Sequence, residues 1–89
     1  MKQSLLQAKQ IAEGDPQLHD FDVHIEGNEL RLAKKGESFA RLIPMDEAGQ
    51  WRMEYFLNRE RWEHIEFTGT LKECLTFLSE NPHYLFWSG

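Results

Sequence analysis

The run His19, Asp20, Asp22, His24 and Glu26 holds the residue types that come nearest to a metal site. Imidazole and carboxylate ligands suit zinc or a similar divalent ion. The spacing argues against one. Asp20, Asp22, His24 and Glu26 fall at every second position, on one face of an extended strand, where such neighbours stand ~6.5 Å apart along the backbone. They would have to converge to share an ion. A two-residue hairpin loop at Gly27-Asn28 also sets Arg31 opposite His24, and a guanidinium repels a cation. A solvated strand face accounts for the pattern better, and no metal is expected. Nucleophilic chemistry has few candidates: Cys74, Ser38, Ser79 or Ser88 with a histidine. Cys74 falls on an apolar helix stripe, where a free thiol packs as a small hydrophobe. Glu63 and His64 are adjacent on a strand and point to opposite faces, so Glu63 cannot orient His64 as a base. No phosphate loop, nucleophile elbow or His-Glu-x-x-His pattern is present. The sequence reads as a non-enzyme with no cofactor.

Trp51, Met53, Tyr55, Trp62 and His64 form the second cluster. With Asn58-Arg59 as the loop, Tyr55 faces Trp62 and Met53 faces His64, an aromatic ladder on one face of a two-stranded ribbon. Phe56, Ile65 and Phe67 make the other face apolar as well, so both faces seek cover. Two helices suffice for one. Tyr84, Phe86 and Trp87 are expected to fold back over the second, because small proteins seldom leave a large apolar patch bare. Where such aromatics are not core they mark a recognition surface. The candidate binding residues are accordingly Trp51, Arg52, Tyr55, Arg61, Trp62, His64 and Trp87. The same surface could stack single-stranded bases, with Arg52 and Arg61 meeting phosphates. Glu54, Glu60 and Glu63 are interleaved with those arginines and cancel much of the field that phosphates need, which disfavours nucleic acid.

These side chains need a scaffold, and the pattern supplies one. Ser4 to about Glu13 reads as a helix, with Ser4 and Gln7 spaced as a capping box and Gly14-Asp15-Pro16 as its stop. Phe21, Val23 and Ile25 then alternate with Asp22, His24 and Glu26, the period of a half-buried strand. Gly27-Asn28 fits a two-residue type II′ hairpin loop, which sets Ile25 opposite Leu30 and Val23 opposite Leu32. Lys34-Lys35-Gly36 is a second turn, too short to be a basic patch. Ser38 to Ile43 is a third strand closed by Pro44, Trp51 to Leu57 a fourth, and Arg61 to Phe67 a fifth broken by Thr68-Gly69. Thr70 and Glu73 form a capping box that opens a helix carrying Leu71, Cys74, Leu75 and Leu78 on one stripe. Asn81-Pro82 ends it, leaving a short aromatic tail from His83 to Gly89. Strands joined by short turns favour antiparallel pairing, because a parallel connection needs a long crossover. The expected fold is α+β: a five-stranded antiparallel meander flanked by an N-terminal and a C-terminal helix, with residues 1–89 as one domain.

Several of these residues resemble a known family. Ala40-Arg41, Gly49-Gln50-Trp51-Arg52-Met53, Arg61-Trp62 with Glu66 after it, Leu75 to Leu78, Asn81-Pro82, and Phe86-Trp87 with Gly89 are similar in order and spacing to the bacterial "domain of unknown function 3024" family. The resemblance covers about Phe39 to Gly89. It implies a bacterial source and supports the fold, and it brings no reaction with it.

Composition sets the outer limits. The 89 residues carry 15 acidic against 10 basic side chains, a net charge of -5, which counts against a phosphate-binding partner. With 40% hydrophobic residues and a single cysteine, the core must form without a disulfide framework. No apolar run approaches the ~20 residues of a membrane span, and Met1-Lys2-Gln3-Ser4 leads into an amphipathic stretch and not a signal-peptide core. A cytoplasmic protein with no membrane partner is expected. Of the 11 aromatic residues, nine lie from Trp51 onward, so function is sought there. The reading is a non-catalytic module for a protein partner or for self-association, with single-stranded nucleic acid as the alternative. A small metal protein or enzyme stands behind both.

Overall fold

The computed structural model describes residues 1–86. It contains α1 (Lys2–Glu13), β1 (Asp22–Glu26), β2 (Glu29–Lys34), β3 (Glu37–Pro44), β4 (Trp51–Leu57), β5 (Arg61–Gly69), α2 (Leu71–Glu80) and a 3₁₀ turn, Pro82–Leu85. The strands form one sheet in the order β1-β2-β3-β4-β5, and every neighbouring pair is antiparallel. This is the α+β meander that the strand spacing and short turns require.

The helix starts differ in how far the sequence signals hold. α2 opens as expected: the Glu73 N–H donates to Thr70 Oγ1 at 3.1 Å and the Thr70 N–H to Glu73 Oε1 at 2.9 Å. Gly69 makes room for that box, since a Cβ there would stand 2.7 Å from Glu73 Oε1. At α1 the expected Ser4–Gln7 box is absent. The helix begins two residues earlier, with Met1 at the cap and its carbonyl accepting from the Leu5 N–H at 2.9 Å. Asp15 then turns the chain. Its Oδ1 accepts from the N–H groups of Gln17 at 2.8 Å and Leu18 at 3.2 Å, and from the Ser79 hydroxyl at 2.9 Å, tying the end of α1 to the end of α2.

The first hairpin has the expected register, Val23 with Leu32 and Ile25 with Leu30, and Gly27 takes the positive φ, 61°, that its turn needs. Lys35 and Gly36 both adopt positive φ, 54° and 80°, the pattern of a type I′ turn between β2 and β3. The last hairpin departs from expectation. Asn58 and Arg59 have φ of 48° and 63°, and the pairing begins at Leu57 with Arg61, so the loop has three residues and not two. Phe56 then faces Trp62, Glu54 faces His64 and Met53 faces Ile65. The expected ladder of Tyr55 with Trp62 and Met53 with His64 is overturned, because a slip of one residue exchanges the faces of a strand. β5 also runs on through Thr68 and Gly69, which pair with Arg52 and Trp51 beyond a bulge.

Both helices pack on one face of the sheet. α1 lies against β1 and α2, α2 against β4 and β5, and the 3₁₀ turn against β3 and β4. Inward side chains from every strand meet there: Val23, Leu30, Leu32, Ala40, Leu42, Trp51, Met53 and Ile65 are buried, with Ala8 and Ala12 from α1 and Leu71, Cys74, Leu75 and Leu78 from α2. The alanines give α1 the shallow stripe that lets it lie close to a flat sheet. Each fully buried leucine contributes roughly 1.5–3 kcal/mol, so this one layer carries the stability of the fold. The tail joins the same side: Leu85 is buried, and Tyr84 packs against Tyr55 at 4.9 Å with a 56° tilt and stacks on Phe77 at 6.0 Å. Its described part, through Phe86, does not cover the opposite face as expected. Phe86 is exposed, and Trp87 lies outside the described residues. Among the described residues no helix is long and apolar enough to cross a membrane.

Candidate functional site

The face of the sheet turned away from the helices is a polar lattice built around one tryptophan. Alternation sends Asp22, His24 and Glu26 of β1, Glu29 and Arg31 of β2, Arg41 of β3, Arg52, Glu54 and Phe56 of β4, and Trp62 and His64 of β5 to this side. Arg31 and Arg41 stand directly opposite each other. Like charges so placed repel, and their surroundings show what offsets the repulsion. The Arg41 Nε donates to Glu54 Oε1 at 2.9 Å and lies 3.4 Å from Glu29 Oε2. The Arg31 Nη1 lies 2.6 Å from Glu26 Oε2, and the Arg52 Nη1 donates to Glu54 Oε2 at 2.9 Å. Glu29 Oε2 and the shielded Arg31 Nε are 3.6 Å apart, attracted as charges but beyond hydrogen-bond reach.

Trp62 closes the lattice. Its ring centre is 4.3 Å from the guanidinium carbon of Arg41 and 5.3 Å from that of Arg31, and it stacks on Phe56 at 4.9 Å with a 24° tilt. Cations over an indole face are held by its quadrupole, so the ring that should be apolar surface becomes the lid of a charged network. Beside it a cleft of about 320 Å³ runs between Ser38, Glu37, Phe56, Arg59 and Trp62. Burial acts to raise the pKa of the Glu54 carboxyl. The Arg41 guanidinium and then Arg52 outweigh it and hold Glu54 below the ordinary carboxylate range.

The residues singled out from the sequence do not form one site. Trp62, Arg52 and His64 share the open face, with Arg52 held by Glu54 and His64 exposed. Trp51 is 6% exposed and belongs to the core. Tyr55 is on the helix side beneath Tyr84, on the face that alternation gives it with Trp51 and Met53, and the register slip puts Trp62 on the other face. Arg61 is exposed at the start of β5 and hydrogen-bonds Glu63, which raises its pKa. The sequence reading did not place Arg41 or Glu29 in the site, took Glu54 only as a charge that offsets the arginines, and put Phe56 on the wrong face relative to Trp62. Arg41 could have been found from the alternation of its own strand, set against Arg31 on the neighbouring one.

His24 sits 3.2 Å from Asp22 and 3.5 Å from Glu26, whose carboxylate is also shared with Arg31. Among the described residues no group of three His, Cys, Asp or Glu side chains is arranged to hold a metal ion. Cys74 is buried under the sheet, and burial followed by the charge of Glu73 pushes its thiol up to about 11.

Residues 4–88 match the family described as Domain of unknown function (DUF3024). The chain belongs to this family. The DUF3024 match takes in α1 and the first hairpin as well as the second half, so the whole meander with both helices is one family unit. No curated protein and no solved structure matches the chain. Membership in DUF3024 assigns no reaction.

Proposed function

We propose that this protein is a non-catalytic recognition module and that a partner protein docks on the helix-free face of its sheet, centred on Trp62. The observation that carries the reading is the setting of Trp62, which rests on Arg41 and Phe56 at the surface while the inward tryptophan of the same sheet, Trp51, is core. Trp and Arg dominate the binding energy of protein interfaces when they sit in a shielded, preorganised cluster. The ion pairs hold Arg31 and Arg41 in place before any partner arrives, which lowers the ordering cost of binding. The more exposed charges around them include Asp22, Glu26 and Glu37 against Arg52 and Arg59. That mixed border favours a protein over a phosphate chain.

A photo-crosslinking amino acid at exposed Glu66, next to the lattice, tests the reading in cell extract. A discrete adduct that disappears with Trp62→Ala, and that a crosslinker at exposed Gln7 does not give, supports it. Equal adducts from both positions sink it. Oligonucleotide titration separates the alternative: a salt-sensitive change in fluorescence that Trp62→Phe abolishes would mean that single-stranded nucleic acid occupies this face. The carboxylates on Arg31, Arg41 and Arg52 weigh against that outcome.

A further inference from the structure

The opposite side of the sheet carries a second surface feature. Phe67 of β5 and Phe77 of α2 stack at 4.5 Å and 17°, and they floor an apolar groove of about 370 Å³ between strand and helix. Lys72, Thr76 and Glu80 rim this groove and are all exposed. They fall at every fourth position, a single stripe along the helix, with Lys72 and Glu80 about 12 Å apart at 1.5 Å per residue. Among the described residues neither Lys72 nor Glu80 makes an ion pair.

The placement of these two charges breaks a local rule. Lys72 is the second residue of α2 and Glu80 the last. The helix dipole is positive at the start and negative at the end, so each side chain sits where its own helix disfavours it. Such a conflict calls for a compensating partner. A second helix with the same sequence, packed antiparallel, is that partner. With a two-fold axis at Thr76, Lys72 of one copy lies against Glu80 of the other, and the contact occurs twice. The dipoles then oppose, so each Lys72 also meets the negative end of the neighbouring helix and each Glu80 the positive end. Thr76 at the axis is small enough for the helices to approach closely, and the flanking apolar grooves become continuous.

We infer that the protein self-associates as a two-fold dimer through this α2 groove, the occupant being a second copy of the chain. The surface lies on the other side of the sheet from the Trp62 lattice, so a dimer leaves that face open. The arrangement is its own complement, which is the property an isologous interface requires.

Sedimentation velocity from about 10 μM to about 1 mM measures it. The wild-type protein is expected to shift from monomer to dimer across that range. Glu80→Lys replaces both Lys–Glu contacts with Lys–Lys contacts and should raise the dissociation constant at least about tenfold. The double swap Lys72→Glu with Glu80→Lys restores opposite charges and should recover most of the loss. Glu13→Lys on α1 makes the same change in net charge away from the groove and should leave association unchanged. Circular dichroism confirms that each variant is folded. A wild-type chain that stays monomeric overturns the inference. So does a dimer indifferent to Glu80→Lys, or a double swap that remains as weak as the single variant.

Discussion

Replacing Glu54 with glutamine tests how the open face is held together, because the side chain keeps its size and loses only its charge. In the wild-type protein Glu54 takes Arg41 on one oxygen and Arg52 on the other, each at 2.9 Å. The Glu54 and Arg41 side chains are 15% and 21% exposed, between the fully buried pairs whose disruption costs about 3–5 kcal/mol and surface pairs worth about 0–1 kcal/mol. Arg52 is 41% exposed, so its share is small after solvent screening. Arg41 also retains Glu29 at 3.4 Å, which softens the loss. These considerations give a destabilisation of about 2 kcal/mol at neutral pH. For a domain of this size that is roughly a 10 °C fall in Tm. The pH dependence supplies a second check. A carboxyl with a depressed pKa contributes stability that is fully present above its unfolded value, near 4.5, and is lost as the pH falls through the lower folded value. The difference between wild type and Glu54→Gln should therefore hold from pH 5 to 8 and shrink in the acid range below about 4. Urea unfolding across pH measures both. A difference under about 0.5 kcal/mol at neutral pH, the range of ordinary surface substitutions, would refute the argument that this lattice is structural. A difference that persists undiminished in acid would refute its electrostatic origin.

The two tryptophans on opposite faces should separate in the same assay: Trp51→Ala is expected to cost about 3–5 kcal/mol as a core truncation, and Trp62→Ala about 1–2 kcal/mol from lost stacking and cation contacts. Cys74 should resist a water-soluble disulfide reagent at neutral pH until the protein unfolds, since its thiol is buried and shifted up to about 11; rapid labelling of the folded chain would contradict the packing. Lys35→Asn should stabilise the protein by a few tenths to about 1 kcal/mol, because Lys35 occupies the first positive-φ position of a turn that favours Asn-Gly; a loss of stability would mean that this side chain matters for another reason.

Legibility in the sequence follows local chemistry. The first hairpin can be read because Gly27-Asn28 admits one loop length and Val23, Ile25, Leu30 and Leu32 then agree on a face. The α2 start can be read because the side chains of Thr70 and Glu73 each accept from the other's backbone N–H within one turn. At the last hairpin Asn58 and Arg59 adopt positive φ without a glycine to announce it, so two and three residues were equally plausible loops. One extra residue moved Trp62 away from Tyr55 and onto Arg41. The Ser4–Gln7 spacing misled in the other direction, offering a cap inside a helix that had already started at Lys2. The site was harder to see than the fold because its partners come from all five strands. A tryptophan destined to lie over guanidiniums looks no different in the sequence from one destined for the core.

The hydrogen bond from Ser79 to Asp15 joins residues 64 apart in the chain, while each strand of the meander pairs with the one beside it in sequence. The order in which the molecule can assemble follows from that contrast. Hairpin after hairpin closes a short loop at little entropic expense, whereas bringing α1 to α2 closes a loop of most of the chain unless the sheet has already drawn them together. Docking of α1 is thus expected as a late event, with Ala12→Gly mainly accelerating unfolding and substitutions in the first hairpin slowing refolding. The opposite pattern in stopped-flow kinetics would place the two helices together at the start. On the expected route, the amino-terminal helix is the last piece to settle and the first to leave.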